Sequence, residues 1–208
     1  MFNVKFNEAI DAAKFAQEQL RNEFEKRDPQ EFYLTFDDFE KIMTLLVKSI
    51  DAGGGMREFC KSLLYNGIKL PDYADETFYR TTMHGFFMAG SWMQFESNDR
   101  PYLMYDCIGD SRSKRGHKSA NGIIRHVHDE IWDVIYPPNS INCRCAIISL
   151  TEEQAISRSK NRQGLKKPLP KTTVTNDGFD FNVGKNITKF IHVGFFDIAK
   201  NGLKYKRD

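Results

Sequence analysis

The chain reads as an α+β protein: an N-terminal helical region leads into a compact mixed core that carries a small antiparallel sheet. Three observations predict this. Apolar residues recur at three- and four-residue spacing as far as Glu96. After Pro101 that rhythm gives way to short aromatic and apolar runs, "YLMYDCI", "IIRHVH" and "CRCAIISL". Asn121-Gly122 and Pro137-Pro138 punctuate the second half with turn chemistry. Three sections follow from this pattern: residues 1–72 as the N-terminal helical region, 73–162 as the core, and 163–208 as a linker and C-terminal tail.

The elements come in order. Phe6, Ile10, Ala13, Leu20 and Phe24 predict an amphipathic helix over 5–26, ended by "RDPQ", because Pro29 disfavours helix at Asp28. Thr35 is placed to cap a second helix, with Asp38 in its first turn. Its buried stripe is Phe39, Ile42, Met43, Leu46, Val47 and Ile50, and "DAGGG" stops it. A third helix places Met56, Phe59, Cys60, Leu63 and Leu64 on one face, with Cys60 as core filler.

A long fourth helix spans Tyr73 to Glu96. Phe78, Gly85, Met88, Ala89, Trp92 and Phe95 form its face, widened by Phe86, Phe87 and Met93. Arg80 and His84 lie one turn apart on it, and His84 is read as a packed or hydrogen-bonded residue, with a ligand role as the alternative. Tyr102 to Ile108 is the first strand candidate, and "GDSRSKRGHKSANG" a polar loop with one helical turn at most. Next come "IIRHVH" as a hairpin strand, "DEIWDVIYPP" as a helical turn, and "CRCAIISL" as the last strand. Thr151, Glu152 and Glu153 open a final helix.

Composition excludes several classes. With 208 residues and 40% apolar content the chain can bury a real core. Mean hydropathy is −0.54 and no apolar run nears the length of a membrane span. The N-terminus lacks the basic and apolar regions of a secretory signal. Four cysteines in a chain this long make no disulfide scaffold, so a reducing compartment is expected.

The net charge of +2 conceals a division. Residues 1–100 hold 12 Lys and Arg against 17 Asp and Glu, whereas residues 101–208 hold 18 against 11. The excess gathers between Arg112 and Arg125, and again at Arg158, Lys160, Arg162, Lys166, Lys167 and Lys171, a segment with no acidic residue. Phosphate attraction makes those six residues candidates for non-specific contact with double-stranded DNA; the bland alternative is a solvated basic surface.

"PPNSINCRC" concentrates the remaining chemistry. Alternation in an extended segment turns Cys143 and Cys145 to one face and Arg144 to the other. The two sulfurs and His117 could pinch one zinc ion, with Cys107 or His128 as a fourth ligand. Cys-x-x-Cys, the usual spacing of zinc knuckles and of redox pairs, is absent. A structural corner is therefore preferred: two small buried thiols behind a rigid turn, with Arg144 meeting Asp110 or Asp129. No cofactor is required on that reading, and zinc is the alternative. Asp110, Arg112, His117, Asp129, Cys143, Arg144 and Cys145 are expected to converge, because buried charges need partners.

"RPYLMYDCIGDSRSKRGHKSANG", "HDEIWDVIYPPNSINCRCAIISLTEEQA" and "GFDFNVG" together resemble the Mu F-like family of phage head-morphogenesis (minor capsid) proteins. The resemblance rests on Asp110, Arg112, His117, Gly122, Asp129, Trp132, Pro137, Pro138, Cys143, Arg144 and Cys145, in that order. It spans Tyr73 to Gly184, with Val183 where the family usually has proline. It implies a protein present in few copies inside a phage head, assembled in the host cytoplasm. Its implied partners are the portal, other head proteins and the packaged genome. It implies no catalytic mechanism. The competing class is a toxin-like or nucleic-acid-directed enzyme built on Asp110, Arg112, His117 and Cys143.

Overall fold

A computed structural model describes residues 36–68, 70, 74–159, 165, 173–176 and 178–186. The helix expected over 5–26, the Thr35 cap and the side chain of Phe39 lie outside the described residues. The elements run α1 (Phe36–Asp51), α2 (Met56–Tyr65), α3 (Ala74–Phe95), β1 (Tyr102–Asp106), α4 (Arg115–Ala120), β2 (Ile124–His126), α5 (Trp132–Ile135), β3 (Ala146–Leu150) and α6 (Glu152–Arg158). The expected order, helices and then a small sheet, is the observed one.

Each helix buries the stripe its sequence supplies. Ile42, Met43 and Leu46 of α1 and Phe59 and Leu63 of α2 point inward, and Cys60 packs against the same core. Leu64 departs from expectation: it is 69% exposed, one position beyond Leu63 and so turned about 100° away around the helix. Glu58 reaches back to the Gly55 amide at 3.0 Å and satisfies a free donor at the start of α2. In α3, Phe78, Met88, Ala89 and Trp92 are buried while Phe87 is exposed.

β1 is the central strand, antiparallel to both β2 and β3, in the order β2-β1-β3. Tyr102 stands opposite His126 on one side and Leu150 on the other. Alternation along β1 buries Leu103 and Tyr105 against the helices, while Met104 joins a smaller cluster with Ile124, Leu150 and Ala155 beneath α6. Thr151 caps α6 by accepting from the Gln154 amide, and Gln154 bonds back to the Thr151 amide.

Two segments differ from the reading of the sequence. The stretch between β1 and β2 is not simply a polar loop. It contains α4, whose Gly116, His117 and Ala120 are buried. α4 ends in a turn in which the Ile123 amide donates to the Ala120 carbonyl, with Gly122 at a φ of 78° that suits glycine. Asn121 then accepts from the Cys107 amide at 2.9 Å, tying that turn to the end of β1.

The second difference lies beyond α6. Val174, Phe179, Phe181, Asn182 and Val183 are all buried, so "GFDFNVG" contributes core. One apolar cluster runs from Ile42 of α1 to Val183. Close approaches fix this arrangement. A β-carbon at Gly116 would lie 2.0 Å from the Thr173 carbonyl oxygen, and one at Gly184 would lie 2.2 Å from Trp92 Cβ.

These contacts set the sign of three substitutions. Gly116→Ala and Gly184→Ala should each destabilise the protein by at least about 1–3 kcal/mol, the usual cost of overpacking. Gly90→Ala, inside α3 with open space around it, should stabilise by roughly 0.5–1 kcal/mol through helix propensity. Urea denaturation of the three variants against wild type measures all of them.

Candidate metal centre and its polar surround

The site is built on the segment that joins α5 to β3. From Ile135 to Cys145 every residue is buried except Asn142, which is exposed, and Arg144, which is partly so. A loop at that depth must find partners for its backbone, and it finds them in α3. The Asn142 amide donates to Thr81 Oγ1 at 3.1 Å, and Asn142 Nδ2 donates to Thr77 Oγ1 at 3.4 Å. Tyr136 donates from its hydroxyl to the Met88 carbonyl at 2.8 Å, and its ring meets Trp92 edge-on. Asn139 donates to the Tyr105 hydroxyl and to the Ile135 carbonyl. The Pro137-Pro138 peptide is cis.

So anchored, the two cysteines face one way and Arg144 the other. Cys143 Sγ lies 3.8 Å and Cys145 Sγ 3.4 Å from the same atom, His117 Nδ1. Donor atoms of the three residues all fall within 4.8 Å of one another. Both thiols are free, and exposure of His117, Cys143 and Cys145 is 3%, 6% and 3%. Their titration is shared. Contact with Cys145, then with His117 and His84, holds the Cys143 thiol low, while Cys143 and burial push Cys145 up. Such a pocket holds one negative charge far better than two. Burial, then the neighbouring sulfurs, raises Tyr105 as well.

Arg144 forms a two-pronged pair with Asp110, Nη1 to Oδ2 at 2.9 Å and Nη2 to Oδ1 at 2.7 Å. Asp110 also accepts from the Arg112 amide and from Ser113 Oγ, so it organises its own loop. Arg144 first, then Ser113 and Arg112, hold the Asp110 carboxyl well below the usual carboxylate range. Arg112 itself is peripheral, 3.6 Å from Asp110 with its side chain 67% exposed.

The residues singled out from the sequence therefore divide into groups. His117, Cys143 and Cys145 meet in one pocket, and Asp110, Arg112 and Arg144 meet at the other face of the same segment. Asp129 pairs with Arg125 at 3.6 Å and bonds the Ile131 amide at 3.0 Å, serving the start of α5 instead. Trp132 is fully buried and donates to the His126 carbonyl, a core role. His128 is exposed and its ring lies against His126, whereas Cys107 is buried. Arg158 ends α6 and approaches the Met104 sulfur at 3.8 Å. Lys160, Arg162, Lys166, Lys167 and Lys171 lie outside the described residues. Sequence reasoning gave no site role to Tyr105 or Asn139, and it preferred a packed or hydrogen-bonded role for His84 over a ligand role. The available signal for His84 was its spacing of seven and three residues from Thr77 and Thr81, which puts all three on one stripe of α3.

A model of the family described as Phage Mu protein F like protein matches residues 40–148, or 109 of the 208 residues counting both ends. The chain belongs to that family. The match runs from α1 into β3 and takes in the whole site. The chain is similar to the Mu-like prophage FluMu F protein of Haemophilus influenzae, with 34% identity over 84 residues, 39% of this chain and 20% of that protein. It is also similar to a protein of Escherichia phage Mu provisionally named capsid assembly protein F, with 29% identity over 77 residues, 36% of this chain and 18% of that one. The matched segment thus spans about a fifth of each relative's length. No solved structure matches the chain. Within the Mu F-like core, the Asp-x-Arg and Cys-Arg-Cys motifs are the two ends of one ion pair.

That pair makes stability depend on acid. A carboxyl held low in the folded state contributes stability above its ordinary pKa, near 4, and loses it as pH falls through the folded value. Asp110→Asn should be less stable than wild type at neutral pH, with the gap narrowing below about pH 4. Denaturation midpoints of both proteins between about pH 7 and pH 3 report it; a gap independent of pH would mean the pair is not its source.

Proposed function

We propose that the chain is a minor head protein of a tailed phage or prophage, acting in head morphogenesis inside the capsid near the portal. The observation that carries this reading is the family match, which coincides with a folded unit from α1 to β3. The names of both similar proteins point to phage, and one of them to capsid assembly. Among the described residues, no helix is long and apolar enough to cross a membrane.

The role proposed is structural. Asp110 spends both carboxylate oxygens on Arg144 and its own loop, which leaves it poorly placed to hold a catalytic Mg²⁺. The thiols and His117 are too deeply buried to meet a polymeric substrate. These facts weigh against a nuclease or toxin built on the same residues. Sucrose-gradient fractions of infected or induced cells should show the protein sedimenting with procapsids and filled heads. Recovery only as free protein would overturn the head assignment.

Contact with the packaged genome is the second part of the proposal, supported by the basic excess after residue 100. No groove-reading motif accompanies it, so binding should be independent of sequence and should weaken steeply with salt. Replacing Lys166, Lys167 and Lys171 by Ala should flatten the salt dependence by up to roughly three phosphate contacts. Anisotropy titrations on duplex DNA across salt concentrations measure that slope, and absence of binding at low salt would leave the basic half as a protein-docking face.

A further inference from the structure

We propose that His84, His117, Cys143 and Cys145 form a structural zinc site that locks the Cys-Arg-Cys corner to α3 and α4. Zinc binds cysteine sulfur at about 2.3 Å and histidine nitrogen at about 2.0–2.1 Å, so a tetrahedral site sets sulfur and nitrogen about 3.6 Å apart. The two separations here, 3.8 and 3.4 Å, lie on either side of that value. Both sulfurs address one nitrogen. As a hydrogen-bond acceptor, Nδ1 has a single lone pair and can serve only one thiol well. A metal at the centre of the triangle satisfies all three donors together.

The charge balance of the pocket also calls for a cation. A thiolate buried at 3–6% exposure is costly without a cation close by. Arg144, which separates the two cysteines, is committed to Asp110 on the opposite face. Zn²⁺ with two thiolates and two neutral imidazoles is neutral overall, the form a buried pocket accepts most readily. Binding releases the protons that the two cysteines carry, and no electron is transferred.

The fourth position falls to His84, whose ring lies outside the group in which donors of His117, Cys143 and Cys145 come within 4.8 Å of one another and would turn inward to complete it. Asn142 bonds to both Thr77 and Thr81, so the stripe of α3 that also carries His84 is held against the corner. On that stripe His84 Nε2 is buried without a hydrogen-bond partner. Cys107 is the competing ligand: it follows Asp106, which pairs with Ala146, so it lies beside Cys145, but it falls outside the group of mutually close donors and its amide is held by Asn121. His128 is excluded by its exposure on the other side of β2. A site of this composition draws one ligand from α3, one from α4 and two from the lead into β3. Its four donors close the coordination sphere, which makes it structural and not catalytic.

The test uses the full chain and does not depend on any role in a phage head. Protein purified from zinc-supplemented medium without chelator should contain about one zinc per chain by elemental analysis. Replacement by Co²⁺ should give thiolate-to-cobalt charge-transfer bands and the intense visible bands of tetrahedral coordination. Chelation should lower the melting temperature of the wild type, a readout that needs no variant to fold. Cys143→Ser and Cys145→Ser should each remove most of the metal. His84→Ala should weaken zinc binding at least about tenfold and alter the cobalt spectrum, since it takes away one of four ligands. Wild-type protein with less than roughly a tenth of an equivalent of zinc, and no charge-transfer band with Co²⁺, overturns the site. Unchanged affinity and spectrum in His84→Ala overturns the four-ligand assignment.

Discussion

A connection that runs through the interior, and not over the surface, is the constraint on which this structure turns. Loops usually stay outside because their amides and carbonyls need water. The segment from Ile135 to Cys145 goes inside, and the protein supplies the partners that water would have given. Thr77, Thr81 and the Met88 carbonyl of α3 meet it on one side, and Tyr105 of the central strand meets it on another. The Asn176 amide donates to the Asn139 carbonyl from the C-terminal segment. Helix, sheet and tail are thus held in one arrangement by a single irregular stretch.

The corner also explains why Cys, Arg and Cys stand in alternation. Extended backbone puts neighbours on opposite faces, so one short run serves two environments. Arg144 meets a partly exposed carboxylate, where a charge-assisted fork is worth making and desolvation is modest. The cysteines meet a dry pocket, where small soft side chains fit and unpaired charge does not. Ion pair and sulfur pocket lie back to back, so a disturbance of either should reach the other through the position of one residue.

Placement of the C-terminal segment follows the same logic. Phe179, Phe181 and Val183 join the apolar cluster that also holds the buried residues of α3, and Gly184 lets the chain pass against Trp92 without a side chain between them. Lys185 lies over the Trp92 ring and pairs with Asp133, closing the edge of that contact. Gly116 plays the corresponding part for Thr173 above α4. The sheet is short, three strands of at most five residues, and takes its stability from what covers it.

The sequence by itself determined the order and type of most elements. Helical spacing in α1 to α3 and alternation in β1 are properties of neighbours along the chain, set by which face must leave water. It also narrowed the partner of Arg144 to Asp110 or Asp129, and offered His117 with Cys143 and Cys145 as the metal alternative to a structural corner, since unpaired buried charge and converging thiols restrict the choices. Tertiary structure alone decided the rest. Asp129 and Trp132 stand in the same run of motif residues, yet they serve α5 and the core, because the local backbone at His126 to Ile131 offers them nearer partners. For His84, spacing alone favoured a packed or hydrogen-bonded role over a ligand role. Its significance depends on Asn142 docking beside Thr77 and Thr81, a contact across about sixty positions that no local pattern records. Likewise the burial of α4, in a stretch that reads as a polar loop with one helical turn at most, goes with residues 173–174 lying across Gly116. Spacing governs what a segment can form on its own; what covers that segment is settled by chain arriving from elsewhere.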